Sequence, residues 1–103
     1  MEKRQFKIKK VFEKREGESE RGKWSYQDLW LIEDDESIRY PDEFLVTVKG
    51  EDITLAAKLK EGDTIKCGMQ FGVREYAVPN TEKVYHSQIV AGWGLEVVQV
   101  SGF

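Results

Sequence analysis

A chain of 103 residues, 40 % of them apolar, is long enough for one hydrophobic core and too short for two, so a single domain over residues 1–103 is expected. A net charge of −3 argues against tight nonspecific duplex binding. One cysteine beside one histidine excludes an internal disulfide and a structural zinc site.

The charge is unevenly distributed. Residues 1–15 carry seven Lys/Arg against Glu2 and Glu13, residues 16–63 carry six basic and fourteen acidic residues, and the remainder is balanced. This reads either as a solvated surface whose signs cluster or as a basic edge beside acidic loops, able to follow a phosphate backbone. The longest uncharged stretch, residues 84–95, contains Tyr, His, Ser, Gln and two Gly, so no membrane span is expected. The basic start MEKRQFKIKK has no apolar run behind it, and a cytoplasmic location is the default expectation.

In chain order the pattern is almost all strand. Phe6 and Ile8 alternate with Lys7 and Lys9, then the alternation slips across Lys10, Val11 and Phe12, which predicts a strand bent by a β-bulge. REGESERGK reads as a charged loop. Residues 24–33 form a second strand, with Leu29 and Leu31 toward the core and Trp24, Tyr26, Asp28 and Trp30 on the opposite, outward face. The acidic turn DDES and Tyr40-Pro41-Asp42 follow. Phe44, Val46 and Val48 mark a third strand, opposed by Leu45, Thr47 and Lys49.

The segment EDITLAAKLKEG predicts one helix of about two turns, with Asp52 as its N-cap, Leu55 and Leu59 one turn apart, and Gly62 ending it. A fourth strand then alternates regularly. Ile65, Cys67, Met69, Phe71 and Val73 are expected to be buried, with Lys66, Gln70 and Arg74 exposed. The loop AVPNTEK leads to a long last strand, residues 84–99, interrupted by Gly92-Trp93-Gly94. An all-β chain of five strands, with one short helix between the third and fourth, has the order of an OB-fold. That fold is a partly open Greek-key barrel whose usual ligand surface lies on the second and third strands and two loops. The helix-to-strand passage LKEGDTIKC supports the assignment, and an SH3-like barrel has no place for the helix.

Four short motifs, GKWSYQD, VKGED, LKEGD and REY, together with Tyr85, Ile89, Ala91 and Trp93, resemble a family of small bacterial proteins of unknown function. That family is described as single-stranded-DNA-binding-like, with single OB domains, and the resemblance spans roughly residues 5–99. It implies nucleic-acid binding by analogy. Where family members have a tight hairpin after REY, this chain has the longer AVPNTEK. The ending VVQVSGF, without an acidic tail, is similar to the tail-less primosomal type of single-strand-binding protein, a homodimer.

The residues themselves support the same expectation. Single-stranded nucleic acid is held by stacking bases on aromatic rings beside a positive groove. Trp24, Tyr26 and Trp30 lie on the strand where OB-folds do this, with Lys23 adjacent, and Lys49, Arg74, Tyr76 and Tyr85 complete the candidate set for single-stranded DNA or RNA. The alternative is a protein-interaction domain in which the same rings cover a barrel end, a dimer seam or a protein partner. Asp28, on the same face, counts against a groove that tracks phosphates. Rings beyond the needs of a core suggest a homodimer formed through strands rather than through the helix. His86 and Ser87 are adjacent on a strand, point to opposite faces and cannot form a nucleophile–base pair directly. Cys67 reads as core, and the run Glu33 to Glu36 as a solvated turn. No phosphate-binding glycine loop or catalytic triad is present, so a non-enzymatic protein without metal or cofactor is expected.

Overall fold

The protein was analysed as a computed structural model that describes residues 3–100. Met1, Glu2 and the terminal Ser101-Gly102-Phe103, the last three residues of the ending compared above, lie outside the described residues. The strands and helix are β1 (Arg4–Val11), β2 (Arg15–Ser19), β3 (Gly22–Glu33), β4 (Glu43–Val48), α1 (Glu51–Ala56), β5 (Thr64–Ala77) and β6 (Val84–Gln99).

Closure of the barrel begins with β1. Its register shifts between Ile8 and Lys10, as the slipped alternation predicts, and the resulting bend lets one strand serve two neighbours. Phe6 lies opposite Glu33 of β3 and Ile65 of β5. β3 continues antiparallel to β4, β5 is antiparallel to β6, and β4 meets β6 in a parallel bridge between Thr47 and Ala91. Five strands therefore close into a ring, β1-β3-β4-β6-β5, with α1 between the third and fourth of them in sequence. This is the expected OB-fold. Phe6, Ile8, Leu29, Leu31, Val46, Val48, Ile65 and Cys67 are fully enclosed, joined at the helix end by Ile53, Ala56 and Leu59.

Four expectations change. The stretch REGESERGK is a hairpin and not a loop: β2 pairs with the start of β3 from Arg15–Tyr26 to Ser19–Gly22. Gly22 (φ 114°) makes the tight turn, Glu18 faces Lys23 across it, and the near-continuous charge hides the strand periodicity from a hydrophobic reading. Asp52 does not cap α1. Gly50, at φ 63°, is the N-cap residue, and the Asp52 carboxylate accepts hydrogen bonds from the backbone N–H groups of Gly94 and Leu95, at 3.3 and 3.2 Å. The helix has the expected length, six residues or a little under two turns.

The third change concerns β5. Ile65, Cys67 and Met69 are buried and Lys66, Gln70 and Arg74 exposed, but Phe71 and Val73 are 50 % and 63 % exposed. The parity is as expected; what is missing is a core beneath it. The β1 ladder ends at the Arg4–Cys67 pair, so beyond it β5 has only β6 as a neighbour and the two strands leave the barrel as a ribbon. This arm, residues 71–77 and 84–90 with the turn between them, contributes to a longest dimension of 51 Å. The supposed basic edge is likewise an interior strand. β1 runs between β3 and β5, and the basic N-terminal segment meets acids: Lys3–Glu96 (3.3 Å), Arg4–Glu33 (2.7 Å), Lys9–Glu43 (3.0 Å) and Lys14–Glu16 (3.5 Å).

Candidate nucleic-acid interface

The arm curls over the outer side of the barrel, and the space it encloses is a groove of about 410 Å³. β3 supplies Tyr26 and Asp28, β4 supplies Thr47, Lys49 follows directly after β4, and the arm supplies Arg74, Tyr76, Ser87 and Ile89. Strand parity explains the convergence. Even positions of β3 and odd positions of β4 point away from the core, and in the arm Arg74 is paired with Ser87 and Tyr76 with Tyr85, so these four share one face. Tyr85 continues that face toward the tip of the arm and is exposed.

The groove offers rings, cations and one carboxylate. The Arg74 guanidinium lies 6.0 Å from the centre of the Tyr76 ring, within cation–π range. Among the described residues neither Lys49 nor Arg74 takes part in an ion pair, in contrast to Lys3, Arg4, Lys9 and Lys14 of the N-terminal segment. Asp28 is half-buried, and its Oδ1 accepts a short hydrogen bond, 2.6 Å, from the Thr47 hydroxyl. That bond holds the carboxylate in the groove.

Trp24 adjoins this groove without lining it. Its ring stacks on Tyr26, with centroids 5.9 Å apart and planes 17° from parallel, and its other neighbour is the backbone of Gly17 on β2. A Cβ at Gly17 would fall 2.3 Å from Cζ2 of the Trp24 ring, so only glycine lets the indole lie flat across the hairpin. The ring is 46 % exposed. Lys23 sits beside it in a second hollow that also contains Glu16 and Glu18. The same device recurs at the root of the arm, where Trp93 covers Gly68 and a Cβ there would approach Cε2 to 2.0 Å. Each glycine faces its tryptophan across a strand pair, and that pairing is what sequence reasoning missed.

Trp30 is not part of this assembly. It lies four residues farther along β3 than Tyr26, roughly 13 Å away at the usual strand rise. Its indole N–H donates to Glu43 Oε1 at 3.0 Å, and the Lys9 ammonium, bonded to the same oxygen, stands 4.8 Å from the ring centre. The hydrogen bond from Lys9, assisted by that from Trp30, lowers the pKa of the Glu43 carboxyl. The structure thus brings Tyr26, Lys49, Arg74 and Tyr76 together, sets Trp24 and Lys23 to one side and Tyr85 to the other, and separates Trp30.

The remaining candidates behave as ordinary surface or core. His86 Nε2 lies 3.5 Å from Glu75 Oε1 on the arm face opposite to Ser87. Cys67 is enclosed, and burial, with the Asp52 carboxylate as a smaller cause, pushes its thiol up to about 11. Asp35 organises the acidic turn by accepting from the hydroxyl and N–H of Ser37, which lowers its pKa, while Asp34 accepts from the Gln5 amide. Among the described residues no group of His, Cys, Asp and Glu converges to hold a metal, and no helix is long and apolar enough to cross a membrane.

A barrel closed by one parallel bridge, carrying a helix ahead of β5 and a ribbon-like β5–β6 hairpin, places the molecule among OB-folds of the kind seen in single-stranded-DNA-binding proteins. Two crystal forms of Rim1, the mitochondrial single-stranded-DNA-binding protein of S. cerevisiae, superpose on it. One gives a TM-score of 0.59 at 10 % identity over 97 % of each chain. The other gives 0.56 at 12 % identity, over 97 % of this chain and 98 % of that one. At such identity the likeness concerns the fold. Residues 4–96 match the family described as a domain of unknown function, DUF3127, and the chain belongs to that family. No curated protein matches the sequence significantly.

Proposed function

We propose that this protein binds single-stranded nucleic acid, DNA before RNA, without catalysing a reaction on it. The observation that carries the reading is the convergence of Tyr26 and Tyr76 with the unpaired cations Lys49 and Arg74 in one groove. Bases stack on the two tyrosines, the Trp24–Tyr26 stack extends the platform toward the hairpin and Tyr85 extends it along the arm. Lys49 and Arg74 meet phosphates. The OB-fold and its likeness to Rim1 support the same reading at the level of architecture. Trp30 and Lys23 contribute less, because Trp30 already serves Lys9 and Glu43 and Lys23 sits among carboxylates.

The reading includes a two-fold pair of chains joined through strands. Its support is the face of the arm opposite the groove, where Val73 and Val84 are exposed with no barrel beneath them and Phe71, half exposed, stands beside the Phe44 ring. The competing reading, a protein docked on the aromatic groove, is separated by salt. Titration of labelled dT and U oligomers, followed by quenching of Trp24, is expected to show binding that weakens steeply as salt rises, since phosphate contacts release counterions. No binding or quenching with any oligomer would refute nucleic-acid binding, and an oligomer complex that salt does not weaken would refute the phosphate contacts of Lys49 and Arg74. Sedimentation at high micromolar concentration tests the pair.

A further inference from the structure

Asp28 is the feature of the groove that phosphate binding leaves unexplained. A carboxylate beside two stacking rings repels phosphate oxygens and can only accept hydrogen bonds. Among the described residues it takes part in no ion pair, although Lys49 and Arg74 line the same groove. One oxygen accepts from Thr47 at 2.6 Å, which fixes the orientation of the group, and among the described residues no donor is bonded to the other. The arrangement is built to receive donors from whatever occupies the groove.

We infer that Asp28 reads the base, selecting guanine in the bound strand. This rests on the nucleic-acid reading proposed above. Guanine alone among the common bases presents two adjacent donors, the ring N1–H and the exocyclic amino group, on its Watson–Crick edge. The two oxygens of a carboxylate match that pair. Adenine and cytosine place an acceptor beside their amino group, and thymine flanks its single N–H with two carbonyls, so each sets a lone pair against the carboxylate. Stacking on Tyr26 or Tyr76 holds the base plane while Asp28 inspects its edge, a division of labour usual for unpaired bases. Thr47 acts as a positioning residue, through the carboxylate.

The test compares four strands of equal length, dT10, d(TA)5, d(TG)5 and d(TI)5, with the unmodified protein, Asp28→Asn and Thr47→Val. Inosine keeps the ring N–H and lacks the amino group, so it isolates the second hydrogen bond. With the unmodified protein, d(TG)5 is expected to bind about tenfold more tightly than dT10 or d(TA)5, the usual scale for one bidentate contact, with d(TI)5 between them. Asp28→Asn is expected to bring the d(TG)5 to dT10 ratio near one. Thr47→Val should lower the same ratio by a smaller factor, and thermal unfolding checks that both variants fold. Binding of all four strands within twofold of one another, or a ratio that survives Asp28→Asn, would overturn the guanine assignment and leave nucleic-acid binding standing. Failure of every strand to bind would overturn both.

Discussion

The barrel and the arm share two strands, β5 and β6, yet they obey different physics. Within the barrel, β5 has β1 on one side and β6 on the other, and Ile65, Cys67 and Met69 are buried. A few residues on, the same alternation places Phe71 at the rim beside Phe44 and Val73 on the same face with no core beneath it. Apolar periodicity therefore fixes which face a residue occupies, and only neighbouring strands decide whether that face is covered. The difference also divides labour. The barrel supplies stability and the outer residues Tyr26, Asp28, Thr47 and Lys49, while the arm supplies Arg74 and Tyr76, with which they form a groove.

The comparison breaks first on stability. Leu29→Ala, in the barrel, is expected to cost about 3–5 kcal/mol in urea unfolding, through lost transfer energy and a cavity. Val73→Ala, on the arm that the single chain leaves exposed, should stay within about 0.5 kcal/mol in dilute protein, where the proposed pair is dissociated. Equal costs would mean that the arm is covered in solution.

The two glycine–tryptophan pairs sharpen it next. At Gly68 an added methyl must displace Trp93 where β5 and β6 leave the barrel, and Gly68→Ala is expected to cost about 1–3 kcal/mol. Gly17→Ala meets the more exposed Trp24 on a hairpin paired only to β3, so its cost should be smaller, while the change displaces the ring from its stack on Tyr26. Near-ultraviolet dichroism with thermal unfolding reads both effects.

Cys67 gives the barrel a pH signature. Its thiol titrates near 9.0 when unfolded and at about 11 when folded, so between those values the native state holds a proton that the unfolded state has lost. Its contribution is complete below pH 9.0 and declines toward pH 11, by at most about 2–3 kcal/mol at the usual cost of one pKa unit. Cys67→Ala should remove that slope, whatever it does to stability at neutral pH.

Binding supplies the remaining three effects. Tyr76→Ala is expected to weaken oligonucleotide binding by about 1–3 kcal/mol with the barrel intact, the loss of one stacked base. Trp30→Ala, outside the groove, should change binding less than twofold; a loss as large as that of Tyr76→Ala would place the strand on β3 rather than in the groove. Smallest of all, Arg74→Ala should reduce the magnitude of the salt slope by somewhat under one unit, since it removes one phosphate contact.

The amino-acid pattern by itself determined a good deal. It placed the OB order of strands and helix, the bulge in β1, the outward parity of Trp24, Tyr26 and Trp30, and the burial of Cys67, because each follows from a local period of two or an interruption of it. The hairpin of β2 escaped it, since a strand paired through Glu18 and Lys23 has no apolar rhythm. The separation of Trp30 from Tyr26 escaped it too, because parity says which side of a strand a ring takes and nothing about what stands opposite. Lys9 and Glu43, from two other strands, decided that. Only the tertiary structure could join Tyr26 to Tyr76, fifty residues apart, and set Asp28 between a hydroxyl from β4 and the open groove. Such juxtapositions are set by the closure of the barrel and the curl of its longest strands, which are properties of the whole sheet and of no single segment.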